Sequence, residues 1–158
     1  QKKPWFSNTV FVIVADHCAS SAGKWEINIA KHHIPAIIYN SGNNAEKIDR
    51  LTSQIDVMPT LFGYLNWNYD TSLYGKDINK TKPGEERAFI GNYKTLGLLK
   101  NDMFTQIDDR KKVKQFTVKD SDKSLKEIKS KNSQLVSETI SYYQTTSERF
   151  KNGKMKAK

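Results

Sequence analysis

The chain is predicted to be α/β: one end of a mixed sheet, a smaller antiparallel β subdomain and a long C-terminal helix. Three observations carry this. Val10-Phe11-Val12-Ile13-Val14 is apolar on both of its alternating faces, as expected of a central strand covered on two sides, usually in a parallel sheet. Four short apolar stretches between residues 88 and 118, broken by turn residues, look like an antiparallel meander. Leu125, Ile128, Val136, Ile140 and Tyr143 keep helical spacing.

Taken in order, Gln1 to Asn8 is a polar lead-in carrying Pro4 and the pair Trp5-Phe6. The first strand ends in Asp16-His17, where open α/β sheets place ligands and chemistry. Cys18 to Lys24 is a run of small residues suited to a loop passing close to a ligand. Ile27 and Ile29 suggest a short extended piece, and Ala36-Ile37-Ile38-Tyr39 is a second strand that stops at Asn40-Ser41-Gly42-Asn43. Asp56 is placed as the N-cap of a helix with Pro59 third, where its missing N–H costs nothing. Val57, Leu61, Tyr64 and Leu65 would be the buried stripe. A long polar connection follows, with Tyr74-Gly75-Lys76-Asp77 as a turn. Ala88-Phe89-Ile90, Leu96 to Leu99, Met103 to Ile107 and Val113 to Val118 are the meander strands. Ser124-Leu125-Lys126-Glu127 matches a capping box, so the last helix is predicted to start there. Lys123, Lys126, Lys129 and Lys131 would coat its solvent side while Leu125, Ile128, Val136 and Ile140 pack inward.

At 158 residues the chain has one domain's worth of material. No apolar run is long enough to span a bilayer. Gln1 is not an initiator Met, and the chain is expected to be cut from something larger. The formal charge of +9 sits wholly beyond residue 109: Arg110 to Lys158 holds 14 basic and 5 acidic residues, against 12 of each before it. No nucleic-acid motif or interleaved aromatics accompany the tail, so nucleic acid is not an expected partner. A solvated helix face is the plain reading; a binding module whose basic helix contacts an anionic surface is the alternative. Cys18 is the only cysteine, which excludes an intrachain disulfide and a cysteine-based zinc cluster.

Asp16 and His17 supply one hard oxygen and one nitrogen, a donor pair that suits Zn²⁺ or Mn²⁺ better than Ca²⁺. Neighbours on a regular strand point to opposite faces, so both reach one metal only if the chain leaves strand geometry at Asp16. The prediction is two side chains within a few ångströms, exposed at the strand tip. The plainer alternative is an Asp capping the next turn beside a loop His. His32 and His33 are an adjacent pair ahead of a strand, where one is usually packed and one exposed. Cys18 has no legible partner for nucleophilic work. Lys24 follows Gly23 without the spacing of a phosphate loop.

Val12-Ile13-Val14-Ala15-Asp16-His17, His33-Ile34-Pro35 with Ile37-Ile38-Tyr39, Ser53-Gln54-Ile55-Asp56-Val57-Met58-Pro59-Thr60-Leu61 and Tyr74-Gly75-Lys76-Asp77 together resemble the C-terminal part of a sulfatase-like catalytic domain. The subgroup most resembled is the lipoteichoic acid synthase type, in the alkaline phosphatase superfamily. The resemblance implies an alkaline phosphatase-like mixed sheet, with residues 1–82 as part of the catalytic core, 83–120 as a small β subdomain and 121–158 as helix and basic tail. It implies that Asp16 and His17 help bind a catalytic divalent metal, Mn²⁺ or Zn²⁺ rather than Ca²⁺. His33 and Lys24 are candidates for lining the substrate site. It implies that no catalytic residue lies in this chain, because the family's nucleophile and remaining metal carboxylate lie far upstream of the Asp-His pair. The expected partners are a phosphate- or sulfate-ester substrate, the rest of the parent catalytic domain, and a bacterial membrane reached through the parent's N-terminal helices, with the catalytic domain outside the cytoplasm.

Overall fold

The computed structural model describes residues 2–18 and 27–156. The order of elements is β1 (Phe11–Val14), β2 (Ala36–Tyr39), α1 (Val57–Tyr64), β3 (Ala88–Gly91), β4 (Thr95–Lys100), β5 (Met103–Asp108), β6 (Val113–Val118), β7 (Leu125–Glu127) and α2 (Ser133–Lys151). Short 3₁₀ turns stand at Phe6–Asn8, Ile29–His32, Gln54–Asp56 and Ile78–Lys80. No helix among the described residues is long and apolar enough to cross a membrane.

Among the described residues β1 and β2 pair only with each other, antiparallel, with Val12 opposite Ile38 and Ile13 opposite Ile37. The expectation of a parallel central strand is therefore corrected. Ile13 and Ile37 are 58% and 54% exposed, so the two-faced apolar pattern is real but uncovered here. One side of the pair is partly sheltered by Trp5, Phe6, Phe11 and Tyr39, which form a ring cluster with centroids 5.3–6.5 Å apart. Asn40, in the left-handed region at φ 64°, holds that cluster in place by donating from its amide to the carbonyls of Phe6 (2.9 Å) and Thr9 (2.8 Å).

β3 to β7 form the predicted meander, antiparallel in sequence order. The β4–β5 hairpin turns on Asn101 and Asp102, both at positive φ (50° and 55°), the backbone of a two-residue type I′ turn. One face of the sheet buries Ala88, Ile90, Leu99 and Phe104 with Ile27 and Ile29. Ile29 lies in a 3₁₀ turn rather than the expected extended piece. Gly97 makes room on this face for the Phe104 ring, since a Cβ there would come within 2.4 Å of it.

The other face takes α2. Leu98, Thr105 and Gln115 are fully buried there together with Thr139 of the helix. Gln115 donates to Thr105 Oγ1 (2.8 Å) and accepts from the Asn132 amide (2.7 Å), so a buried side chain sets where the helix begins. Asn132 is the N-cap, accepting from the Leu135 amide at 3.0 Å. The start predicted at Ser124 is thus corrected: Leu125–Glu127 pairs with β6 as a strand. α2 carries Glu138, Glu148, Arg149 and Lys151, two charges of each sign. Lys123, Lys126, Lys129 and Lys131 are exposed but lie in the β6–β7 turn, on β7 and in the loop after it. Among the described residues, these lysines therefore do not coat a helix face.

Tyr143 donates its hydroxyl to the Gly97 carbonyl at 2.9 Å, and burial raises its pKa above the usual tyrosine value. Tyr143→Phe is expected to lower stability at neutral pH by about 1 kcal/mol, the net worth of one such bond. A folded-state pKa raised above the unfolded one stabilises fully below pH 10 and is lost as pH climbs through the folded value. The gap in melting temperature between wild type and Tyr143→Phe should therefore narrow above pH 10; a constant gap would show that the phenol does not titrate with folding.

Candidate metal centre

The chain leaves strand geometry just after β1, as two ligands from adjacent residues require. Ala15 still donates to the Pro35 carbonyl (3.4 Å), and from Asp16 onward the backbone bends. The bend is fixed by three local bonds. The His17 amide donates to Asp16 Oδ1 (2.9 Å), Cys18 Sγ donates to the His33 carbonyl (3.3 Å), and Gln54 Nε2 donates to the Ala15 carbonyl (2.9 Å). Gln54 opens the turn that leads into α1, so the tip of β1 is tied to that helix one residue before Asp16. Nothing local in the sequence marks Gln54 for this role; only the fold brings it within reach.

Asp16 and His17 point the same way, with Asp16 Oδ2 3.5 Å from His17 Nε2 and side-chain exposures of 88% and 68%. His17 Nδ1 lies 2.9 Å from the Cys18 carbonyl. A carbonyl only accepts, so in the neutral ring Nδ1 carries the proton and Nε2 keeps its lone pair. One ring nitrogen given to a backbone carbonyl is what orients a metal-ligating histidine, and here the other faces the Asp16 carboxylate. Two zinc ligands bound at about 2.0–2.1 Å in a tetrahedral shell lie about 3.3 Å apart, near the separation seen here. By number and type, Asp16 and His17 fit two corners of such a site. Among the described residues no group of three or more His, Cys, Asp or Glu is placed to hold a metal ion.

The pair opens onto a groove of about 2260 Å³ that runs between the β1–β2 pair and the meander. His33 lines it, exposed, while His32 is partly buried with Nδ1 2.8 Å from the Asn28 carbonyl. This is the split of one packed and one exposed histidine expected from the sequence. Lys24 lies outside the described residues.

Asp56 has no place at this tip, yet among the described residues it is the best-partnered carboxylate. It is 2% exposed and accepts from the Ser53 amide (3.0 Å), the Lys76 amide (2.8 Å) and both Arg87 terminal nitrogens (2.6 and 3.0 Å). Asp56 stands at the N-cap position of α1 as predicted, but its carboxylate does not cap that helix: it reaches back to the Ser53 amide and completes the capping box of the 3₁₀ turn, whose own N-cap is Ser53. α1 itself starts at Val57 with Pro59 third, as predicted; what the sequence did not show is the 3₁₀ turn Gln54–Asp56 that leads into it. The Tyr74 to Asp77 turn wraps the same cluster: the Tyr74 carbonyl accepts from Arg87 (2.8 Å) and Asp77 caps the next 3₁₀ turn through the Asn79 amide (3.0 Å).

Comparison with known proteins covers both segments. Residues 2–67, which include Asp16, His17 and α1, match the sulfatase family model. A crystal structure of a protein in the alkaline phosphatase superfamily from Vibrio parahaemolyticus superposes on 99% of this chain with a TM-score of 0.90 at 24% identity. The chain has the fold of the part of that protein on which it superposes. The chain spans 38% of the length of that superfamily protein. Both the β1–β2 segment and the meander with α2 fall inside the superposed region, so the five-stranded sheet is part of the fold shared with that protein.

Proposed function

We propose that this chain is the C-terminal part of a metal-dependent phosphotransferase or sulfatase-like hydrolase acting on phosphate or sulfate esters outside the cytoplasm of a bacterium. The observation that carries the reading is the convergence of Asp16 Oδ2 and His17 Nε2 at 3.5 Å on the tip of β1, inside the segment that matches the sulfatase model. A histidine beside the aspartate favours Mn²⁺ or Zn²⁺ over the all-oxygen shell of Ca²⁺ and tilts the chemistry toward phosphate esters, as in lipoteichoic acid synthase-type enzymes. When bound, such an ion supplies positive charge that activates an oxygen nucleophile and offsets charge on the transferred group. In this chain Asp16 and His17 hold the ion from one side, the Cys18 carbonyl fixes the His17 tautomer, and Gln54 keeps the tip at its angle. His33 faces the groove in which an ester group would lie, with Lys24 as a further candidate. The nucleophile and the remaining carboxylate ligand come from upstream in the longer protein. Its central sheet then covers the exposed apolar faces of β1 and β2, and its membrane-spanning helices anchor the whole.

The reading is tested at two levels. In the longer protein, His17→Ala and Asp16→Ala are each expected to lower Mn²⁺- or Zn²⁺-dependent turnover of a chromogenic phosphate diester or sulfate ester by at least about 100-fold, since loss even of a residue supporting a ligand costs about 10- to 100-fold. Retained turnover would remove the metal assignment. The 158-residue chain alone should show no turnover and only weak calorimetric heats with either metal. Micromolar affinity lost in His17→Ala, or turnover by this chain, would mean that the site is self-contained.

A further inference from the structure

The two ends of the meander carry opposite electrostatic designs. At the end holding the β4–β5 and β6–β7 turns, lysines are matched by acids: Lys100 with Glu138 (2.6 Å), Lys119 with Asp122 (4.0 Å) and Lys123 with Asp120. The opposite end is built from three separate segments. The β3–β4 turn brings Tyr93, and the β5–β6 turn brings Arg110, Lys111 and Lys112. The loop leaving β7, antiparallel to β6, brings Lys129 and Lys131 to the same end; the Ile128 amide still bonds the Gln115 carbonyl (2.9 Å). All five cations are exposed, and among the described residues none of them forms an ion pair.

The acids at this end do little to cancel them. Asp108 spends its carboxylate inside the turn, accepting from the Arg110 (3.0 Å) and Lys112 (2.7 Å) amides. Glu127 sits 3.7 Å from Lys114, and Asp109 is the remaining exposed acid. Tyr93 is 97% exposed at its turn tip, so a large amphipathic ring stands in water without covering any of the core.

We infer that this basic, tyrosine-tipped end of the meander docks on a surface of anionic lipid headgroups. Turn tips ending a rigid sheet present cations together on one end of the molecule; Tyr93 reaches the rim of the groove at β1, but none of the five cations lines it. A single tyrosine with a polar hydroxyl suits the headgroup level of a bilayer, whereas a single-stranded nucleic acid would call for a row of stacking rings. Basic residues near an anionic leaflet add their attraction nearly independently and lose it to salt within a Debye length. The inference does not rest on the metal assignment, and its test has no catalytic readout.

Flotation with vesicles of 30% phosphatidylglycerol in phosphatidylcholine should capture the chain at 0.1 M salt, while pure phosphatidylcholine should not. Arg110→Gln/Lys111→Gln/Lys112→Gln should weaken capture by about tenfold or more, and Lys129→Gln/Lys131→Gln by a similar factor. Tyr93→Ser should weaken it about two- to fivefold, and Lys119→Gln/Lys123→Gln should leave it unchanged. Circular dichroism will show that these surface variants stay folded. Equal capture by neutral vesicles, or an equal loss in Lys119→Gln/Lys123→Gln, would overturn the inference. So would long-chain polyphosphate binding this end as tightly as vesicles at equal phosphate concentration, because the site would then read a soluble polyanion rather than a membrane.

Discussion

Replacing Arg87 with methionine is expected to destabilise the chain by about 3–5 kcal/mol, the cost of leaving a buried charge without its partner. Both side chains of the pair are almost wholly out of water, at 3% and 4% exposure, so solvent does not screen the loss. Arg87→Met keeps much of the side-chain volume and the contact with the Phe89 ring, over which the guanidinium now sits at 5.2 Å. What it removes is the charge. Asp56 would then hold its carboxylate on two backbone amides alone, and the Tyr74 carbonyl would lose its donor. Urea denaturation checks this. Asp56→Asn should cost a comparable amount, and the double variant Asp56→Leu/Arg87→Met should cost less than either single change, because no uncompensated charge remains. Single-variant costs below about 1 kcal/mol would mean that the pair is an incidental contact.

The consequence of that pair reaches the site. Ser53, Asp56, Tyr74 and Lys76 belong to the segment around α1, while Arg87 stands at the start of β3. Their shared cluster joins the meander to the turn whose Gln54 steadies the Asp16-His17 tip. A loss at Arg87 should therefore loosen the tip as well as lower global stability.

What could be read from the sequence and what could not follow a physical division. The strands of the meander and the Asp-His tip were legible because alternation and strand-end position are local properties. The start of α2 was not. Ser124-Leu125-Lys126-Glu127 carries the standard capping-box pattern, yet the free edge of β6 takes these residues as β7, pairing Val118 with Leu125 and Phe116 with Glu127. Ser53-Gln54-Ile55-Asp56, with a shorter acid at the third position, does form the box. The two outcomes differ through partners about 10 to 30 residues away, the strand edge in one case and Arg87 in the other, and no local rule weighs these. The two-faced apolar pattern of β1 signalled a strand, which the structure shows, but not its pairing or its cover. It could not show that Ile13 and its neighbour Ile37 stand more than half exposed here. The same limit hid Gln54 and Gln115, ordinary polar residues until the fold sets one beside the Ala15 carbonyl and the other beside the Asn132 amide.

Gly75→Ala is expected to cost about 2–4 kcal/mol, above the usual 1–3 kcal/mol for one added methyl in a packed site. The reason is not backbone freedom, since Gly75 is not among the positive-φ glycines, but a proline sixteen residues away. Pro59 has no N–H, so the carbonyl of Ile55, four residues before it, lacks its helical partner. The Gly75 backbone lies against that carbonyl, and a Cβ would come within 2.2 Å of the oxygen and 2.9 Å of the Pro59 ring. Neither side can easily retreat. The chain before Gly75 is held by the bond from Arg87 to the Tyr74 carbonyl, and the chain after it by the bond from the Lys76 amide to Asp56. Moving Gly75 far enough to admit a methyl group stretches one or both. Lys76→Ala keeps the backbone donor and should cost under about 0.5 kcal/mol, as side-chain changes away from packed contacts do. Thermal or urea melts of the two variants decide the matter: similar midpoints would show that the turn simply shifts to make room. Because the clash is relieved by surrendering bonds to Asp56 and Arg87, Gly75→Ala and Arg87→Met should be coupled, with the double variant losing less than the sum of the two.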